Sequence, residues 1–97
     1  MEIIYHRGIK RDLRSALAFY DAEGGSKLGD RFFAEAENAV ASVLENPKRF
    51  HWIDDGLRRV DLSSFPYHFI FEEDERRIRF LVLRHDKRHP GFGLRRS

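Results

Sequence analysis

The sequence contains no cysteine, which excludes both a disulfide framework and a thiolate site. It also has no apolar run near the roughly 18 residues that a membrane-spanning helix needs. The N-terminal residues MEIIYHRG lack the longer apolar stretch of a secretory signal peptide. These absences are compatible with a reducing compartment, so we expect a cytoplasmic protein that has no membrane partner.

Several motifs of catalysis and cofactor binding are missing as well. There is no Gly-rich phosphate loop, no GxSxG nucleophile motif and no HExxH metal motif. The segment HDKRH contains His85, Asp86 and His89, but these side chains diverge in an extended or turning segment, and two intervening cations oppose a divalent ion. We therefore predict no metal and no cofactor.

Length and composition indicate one globular domain, residues 1–97. A chain of 97 residues buries only about two-thirds of its unfolded surface and cannot divide that surface between two cores. The hydrophobic fraction of 41%, which includes nine Phe and one Trp, is sufficient for one core. We interpret Trp52 as a core or hinge aromatic and not as a base-stacking platform.

Charge is unevenly distributed along the chain. Residues 1–75 contain 10 Lys and Arg against 15 Asp and Glu, whereas residues 76–97 contain 8 against 1. The basic last quarter suits an acidic protein segment or nucleic acid, and a solvated tail is the alternative. Because this positive charge lies at one end of the chain and not along a helix, we do not expect direct DNA binding.

The first half of the sequence predicts a strand and two helices. Residues Glu2 to His6 are a short β-rich run. Apolar residues spaced by three and four then predict one helix from Ile9 to about Glu23 and another from Leu28 to Asn46. Gly24 to Ser26 interrupt them, and such a short connection favours an antiparallel helical hairpin.

The second half predicts three strands, Leu57 to Leu62, Tyr67 to Glu73 and Arg77 to His85. The polar turn between the last two is typical of an antiparallel hairpin. The order is β-α-α-β-β-β, which defines an α+β domain. We expect the helical hairpin to pack on one face of a small, mainly antiparallel sheet.

Side-chain alternation assigns each strand residue to a face of the sheet. A turn that pairs Glu75 with Arg76 predicts these cross-strand pairs: Phe71 with Phe80, Phe69 with Val82, Glu72 with Arg79, and His68 with Leu83. The helix-covered face then contains Val60, Leu62, Tyr67, Phe69, Phe71, Phe80 and Val82. The outer face contains Arg59, Asp61, His68, Ile70, Leu81, Leu83 and His85.

No third layer remains to cover the outer face. Its apolar patch of Ile70, Leu81 and Leu83 is bordered by Arg and His side chains, and we predict that a ligand or partner buries it. The alternatives are that the C-terminal residues GFGLRRS fold back over the patch, or that the helices pack unevenly.

Two histidines share this predicted outer face. His68 and His85, near Arg59 and Arg88, would provide an acid, a base and a phosphate clamp for RNA cleavage through the 2′-hydroxyl. The alternative for each histidine is a structural hydrogen bond at a strand end.

Four segments of the sequence together resemble a known family. They are ENP (Glu45 to Pro47), GLRR (Gly56 to Arg59), FPYHFIF (Phe65 to Phe71) and LRHDKRHP (Leu83 to Pro90). Their order is similar to that in the RelE/ParE superfamily, the toxins of bacterial type II toxin–antitoxin and plasmid stabilisation modules. With the helical hairpin and first strand, the resemblance covers nearly the whole chain.

The resemblance implies a small cytoplasmic toxin that inhibits growth and is neutralised by an antitoxin. RelE-like members cut mRNA on the ribosome, and ParE-like members poison DNA gyrase. Asp61 stands where a second lysine is usual in RelE-like proteins, His68 stands where an arginine is usual, and Phe92 replaces a tyrosine. The Pro-Tyr strand and the HxxR ending favour a ParE-like toxin that acts by binding gyrase.

Two alternatives remain open. One is a RelE-like endoribonuclease that uses His68, His85, Arg59 and Arg88, and the other is a non-toxic remnant that only binds an antitoxin. A homodimer and a heterotetramer with the antitoxin are both compatible with the sequence. The predicted residues for antitoxin or target binding are Arg59, Asp61, His68, Ile70, Leu81, Leu83, His85 and Arg88.

Overall fold

The computed structural model describes all 97 residues. In chain order the elements are β1 (Glu2–Tyr5), α1 (Gly8–Gly24), α2 (Ser26–Glu45), a 3-10 helix (Pro47–Arg49), β2 (Trp52–Asp54), β3 (Leu57–Asp61), β4 (Tyr67–Glu73) and β5 (Arg77–His85). The predicted β-α-α-β-β-β order is confirmed, with one additional short strand, β2. No helix combines the length and the apolar character needed to cross a bilayer.

The five strands form one sheet in the order β1-β5-β4-β3-β2. Three of the four pairings are antiparallel, and β1 runs parallel to β5. The sequence did not predict β2, which has no alternating pattern. Trp52, in this strand, is 59% exposed, so its assignment to the core is wrong. Its ring instead lies 3.6 Å from the guanidinium carbon of Arg58.

The helices form the predicted hairpin because the chain reverses at Gly25. This residue has a φ of 78°, a left-handed conformation that glycine adopts without strain. Close to the turn, Gly29 leaves room for the carboxylate of Asp21, which a Cβ at this position would displace. The hairpin is therefore tight at the turn.

The main core lies between the helical hairpin and the helix-covered face of the sheet. Phe32, Phe71, Phe80 and Ile78 are fully buried there. Val60, Leu62, Phe69, Phe71 and Phe80 belong to this core, with Tyr67 packed against it, as the strand alternation predicts. Burial of each such side chain stabilises the fold by about 1.5 to 3 kcal/mol, which explains why the inward positions are almost all large and apolar.

The register between β4 and β5 is confirmed at one end only. Phe71 pairs with Phe80 and Glu72 with Arg79, as predicted, but a β-bulge follows between Ile70 and Phe71. One extra residue on β5, Leu81, is accommodated there. Beyond the bulge the observed pairs are Ile70 with Val82, Phe69 with Leu83, His68 with Arg84, and Tyr67 with His85.

The bulge reverses the predicted faces of β5 because a shift of one residue turns every following side chain over. Leu83 belongs to the main core and not to the outer face, and Val82 lies on the outer face with Ile70. His85 contacts the ring of Tyr67, whose ring in turn packs on Phe32 of α2. The predicted outer-face positions of Leu83 and His85, and the helix-side position of Val82, are therefore wrong.

The outer face is covered by the C-terminal strap, which we define as residues 90–97. Phe92 and Leu94 of the strap pack against Ile70, Leu81 and Val82. Ile70 is 0% and Leu81 2% exposed. The prediction of an open apolar patch on the outer face is therefore wrong, and the alternative that the C-terminal residues fold back over it is confirmed.

The strap passes very close to the sheet at Gly93. A Cβ on this residue would lie 2.7 Å from Cβ and Cγ2 of Val82, and the φ of Gly93 is 80°. Any other residue would have to adopt a strained backbone and displace the valine. This contact explains the second glycine of the GFG segment.

Candidate functional site

Arg84 holds the strap on the outer face of β5. This buried side chain donates from Nη1 to the carbonyl oxygens of Pro90 at 2.7 Å, Phe92 at 2.9 Å and His89 at 3.4 Å. Its Nε donates to Nε2 of His68 at 2.9 Å. The planar guanidinium therefore joins the sheet to three successive parts of the C-terminal chain.

His68 is a structural histidine in the same network. Arginine can only donate, so Nε2 of His68 must accept, and the ring proton lies on Nδ1, which donates to Oδ1 of Asp86 at 2.8 Å. Burial lowers the pKa of His68 below its ordinary value. Arg59 and Arg84 lower it further, while Asp86 opposes them. Because the lone pair of Nε2 is already occupied by a buried guanidinium, this ring offers no open nitrogen to take a proton from a substrate.

Arg59 and Asp61 lie at the outer end of this network. The guanidinium of Arg59 is 2.7 Å from Asp61 and 3.3 Å from Asp86, so two carboxylates compensate its charge. Asp61, His68 and Asp86 offer ligand atoms within 4.8 Å of one another. Arg59 and the Nδ1 proton of His68 already satisfy those carboxylates, so the arrangement fits an ion-pair network better than a metal site.

His85 and Arg88 are separate from this network. Nδ1 of His85 accepts from the backbone N–H of Lys87, and Arg88 lies over the ring of Phe92 at 4.0 Å. His68 and His85 point to opposite faces of the sheet, so the prediction that they share the outer face is wrong. The structure brings together Arg59, Asp61 and His68 but neither His85 nor Arg88.

The neutral state of His68 makes stability depend on pH. Below about pH 6.5, the ordinary pKa of histidine, the unfolded chain binds a proton here that the folded chain does not, so the free energy of unfolding falls as pH falls. The slope is at most about 1.4 kcal/mol per pH unit for one histidine. Urea unfolding at a series of pH values from neutral to mildly acidic measures it.

The variant His68→Gln is the control for this pH dependence. Its slope is expected to be smaller, because glutamine does not titrate. Some slope should remain, because the pKa of His6 is also lowered, first by burial and then by Arg96, Arg79 and Arg7. A slope that is unchanged in His68→Gln would contradict this assignment.

The open apolar surface of the molecule lies on the helix side, between α1, α2 and the end of β1. We call it the helix-side groove. It has a volume of about 790 Å³, and 10 of its 14 lining residues are hydrophobic. Phe69 and Leu83 form its floor, and Phe33, Leu44 and Tyr5 stand exposed at its sides. The hairpin that is tight at the Gly25 turn is thus open at its other end.

Charges of both signs border the helix-side groove. Arg7 and Lys10 line its α1 side, and Glu37 lines its α2 side. This groove was not predicted from the sequence, although Phe33, next to the buried Phe32, is a large apolar residue outside the main periodic face of α2. Only Leu83 of the predicted binding residues contributes to it.

The fold is similar to that of one chain in a solved structure of the chromosomal ParDE TA system from P. aeruginosa. The TM-score is 0.77 and the sequence identity is 16%, over 88% of this chain and 95% of that chain. No protein-family model matches this chain, and no curated protein is significantly similar to it. The structural similarity defines the fold class, and it confirms the RelE/ParE-like α+β fold that the sequence motifs predict.

Proposed function

We propose that this chain is the toxin of a type II toxin–antitoxin module and that a segment of its antitoxin occupies the helix-side groove. Two observations support this: the fold resembles a chain of a ParDE TA system, and an open, mostly apolar groove lies beside the helical hairpin. The groove carries the proposal, since a mostly apolar cleft of about 790 Å³ has the volume of a typical binding site.

An amphipathic helix suits the groove. The wall from Phe33 to Leu44 extends along α2 for about 16 Å, the length of roughly three helical turns. The apolar floor would take the hydrophobic side of such a helix, and Arg7 and Lys10 at the border would pair with acidic residues. The partner we propose is therefore an acidic amphipathic segment.

The groove proposal predicts that Phe33→Asp with Leu44→Asp weakens the complex with the antitoxin at least about 100-fold, because two apolar anchors become charged. Both residues are partly exposed, so the fold should tolerate the change. The measurement is calorimetric titration with the protein encoded by the neighbouring gene. The matched control is Phe19→Asp with Ile53→Asp, two apolar residues exposed outside the groove.

Three outcomes decide this proposal. Equal affinity loss in both double variants would assign the effect to charge and not to the groove. Full affinity in the groove variant would place the antitoxin elsewhere, and a neighbouring gene product that does not bind would contradict the toxin assignment. We also expect expression of the chain alone to arrest growth and coexpression with that gene to restore it.

We infer that the toxin acts by binding its target, with DNA gyrase as the first candidate. The support is chemical: His68 is neutral and fully bonded, and it faces away from His85, so the residues considered for RNA cleavage do not form an acid–base pair. Arg59, Asp61, His85 and Arg88 remain candidates for target contact. A gyrase supercoiling assay tests this function, and transcript cleavage in a translating extract tests the ribonuclease alternative. Failure of both assays, with harmless overexpression, would favour the non-toxic remnant.

A further inference from the structure

Four cationic side chains lie on one face at the start of α1, the first of them on the residue just before the helix. They are Arg7, Lys10, Arg11 and Arg14, and we call them the α1 cationic stripe. The spacing i, i+3, i+4, i+7 places them within an arc of about 100° and over a length of about 10 Å. All four side chains are exposed.

The stripe has no internal counter-charge. None of its four residues makes a salt bridge. The one acidic residue in this segment, Asp12, points to a different side of the helix, where Arg96 binds both of its oxygens at 2.6 and 3.0 Å. The positive charge of the stripe is therefore available to a partner.

Local physics does not favour this arrangement. Arg7 and Arg11, and Lys10 and Arg14, are like-charged i, i+4 pairs, which destabilise a helix. Cations near a helix N-terminus also oppose the helix dipole, and α1 has neither an acidic residue in its first turn nor a side-chain cap. The depressed pKa of His6, due first to burial and then to Arg96, Arg79 and Arg7, is consistent with a positive potential there. A sequence that departs from local preference in this way indicates a functional constraint.

We propose that the α1 cationic stripe binds the phosphodiester backbone of a nucleic acid. Phosphate recognition requires only a row of exposed cations, and Arg binds phosphate oxygens in a bidentate manner. Arg7 and Lys10 also border the helix-side groove, but Arg11 and Arg14 do not, so the row of cations continues beyond the surface proposed for the antitoxin segment. The stripe therefore fits a polyanion better than an acidic peptide.

This inference goes beyond the proposed toxin function and does not depend on it. Direct DNA binding was not expected because the positive charge of the last quarter lies at one end of the chain. The α1 cationic stripe is a row of positive charges along a helix, which the positively charged C-terminal quarter of the chain does not provide. Two of its residues, Arg11 and Arg14, do not line the helix-side groove, so they can be changed without altering that site.

Fluorescence anisotropy with labelled nucleic acids tests the proposal. The probes are a mixed-sequence DNA duplex and a single-stranded RNA of the same length, which distinguish the two sources of the backbone. With about four phosphate contacts, affinity for the preferred probe should fall about 100-fold between about 50 and 200 mM salt. Arg11→Glu with Arg14→Glu should weaken binding at low salt at least about tenfold and reduce the logarithmic salt slope by about 2.

The matched control is Arg49→Glu with Arg76→Glu, which changes net charge equally at exposed arginines outside the stripe. It should keep the salt slope of the unmodified protein. Equal losses in both double variants, or no salt-dependent binding of either probe, would overturn the proposal. The proposal would also be overturned if a poly-glutamate peptide with the same net charge as the nucleic-acid probes bound more tightly than they do. That result would indicate that the stripe binds an acidic protein segment. Circular dichroism verifies that α1 is intact in the Arg11→Glu, Arg14→Glu variant. If this variant still binds the antitoxin, its loss of nucleic-acid binding has no bearing on the proposed toxin function.

Discussion

Phe80→Ala is expected to lower the free energy of unfolding by about 3 to 5 kcal/mol, because it removes a fully buried ring from the centre of the main core. β5 lies between β1 and β4, and Phe80 contacts aromatic rings from both neighbours. Its ring centroid is 5.4 Å from that of Tyr5, 5.5 Å from Phe69 and 5.8 Å from Phe71. Tyr5 belongs to the strand on one side of β5, and Phe69 and Phe71 belong to the strand on the other side, so the rings cannot close the cavity together without moving the sheet.

Denaturant unfolding at neutral pH measures the free energy of unfolding. An m value equal to that of the unmodified protein would show that unfolding is still two-state and that only the stability has changed. Phe19→Ala is the matched control. Phe19 is 53% exposed on α1, so its removal should cost less than about 1 kcal/mol. Similar losses in both variants would contradict the assignment of Phe80 to the core.

The position of Phe80 was predictable from the sequence. Tyr67, Phe69 and Phe71 alternate with less apolar residues in β4, so one face of that strand is clearly aromatic. Pairing opposite charges at Glu72 and Arg79 then fixed the register near the turn. The helices were predictable because two independent signals indicate the same boundaries: the apolar residues are spaced by three and four within each helix, and glycines lie between the two helices.

The β-bulge at Leu81 was not predictable in this way. Phe80, Leu81, Val82 and Leu83 are all apolar, so every register places a hydrophobic side chain on each face, and alternation gives no preference. Without the bulge, the predicted register put Leu83 on the outer face and Val82 on the helix side, the reverse of their observed positions, and put His85 on the wrong face. The predicted binding residues were therefore partly wrong. A continuous apolar run thus indicates a strand buried on both faces, and here the strap provides the second cover.

The strap was hard to predict because its polar contacts join distant parts of the chain. Arg84 bonds to His68, 16 residues away, and Arg96 bonds to Asp12, 84 residues away. The basic last quarter was interpreted as a surface that attracts acidic partners or as a solvated tail. Two of its cations, Arg84 and Arg96, instead donate hydrogen bonds to groups within the protein. A count of charges along the sequence does not distinguish such arginines from those that face the solvent.

Asp12 and Arg96 have a further structural role at the edge of β5. β1 pairs with β5 only as far as Phe80, which leaves the edge groups of Leu81 and Leu83 without a neighbouring strand. A carboxylate oxygen of Asp12 accepts from the N–H of Leu83 at 3.1 Å, and Arg96 donates to the carbonyl of Leu81 at 3.0 Å. The ion pair thus satisfies backbone groups that would otherwise be unpaired beside the bulge.

Arg84→Ala is expected to lower the free energy of unfolding by about 3 to 5 kcal/mol, a large effect for a side chain outside the apolar core. The variant removes the charged donor that satisfies Nε2 of His68 and the carbonyl oxygens of Pro90 and Phe92. Nε2 of His68 would then be buried without a partner, which costs about 1 to 3 kcal/mol, and the part-buried carbonyl groups would lose a charged donor worth about 1.5 to 3 kcal/mol. Arg84→Lys should recover little, because one ammonium group cannot reproduce the planar fork.

Two readouts separate release of the strap from general destabilisation. Hydrogen exchange in residues 90–97 should accelerate in Arg84→Ala more than exchange in the two helices, because the strap loses its attachment while the main core stays intact. Binding of a hydrophobic dye should increase as Ile70, Leu81 and Val82 become accessible. Lys87→Ala is the matched control, since Lys87 is exposed and makes no salt bridge, and its loss should stay below about 1 kcal/mol. A strap that stayed protected in Arg84→Ala would mean that the packing of Phe92 and Leu94, together with the Arg96–Asp12 ion pair, holds it without Arg84.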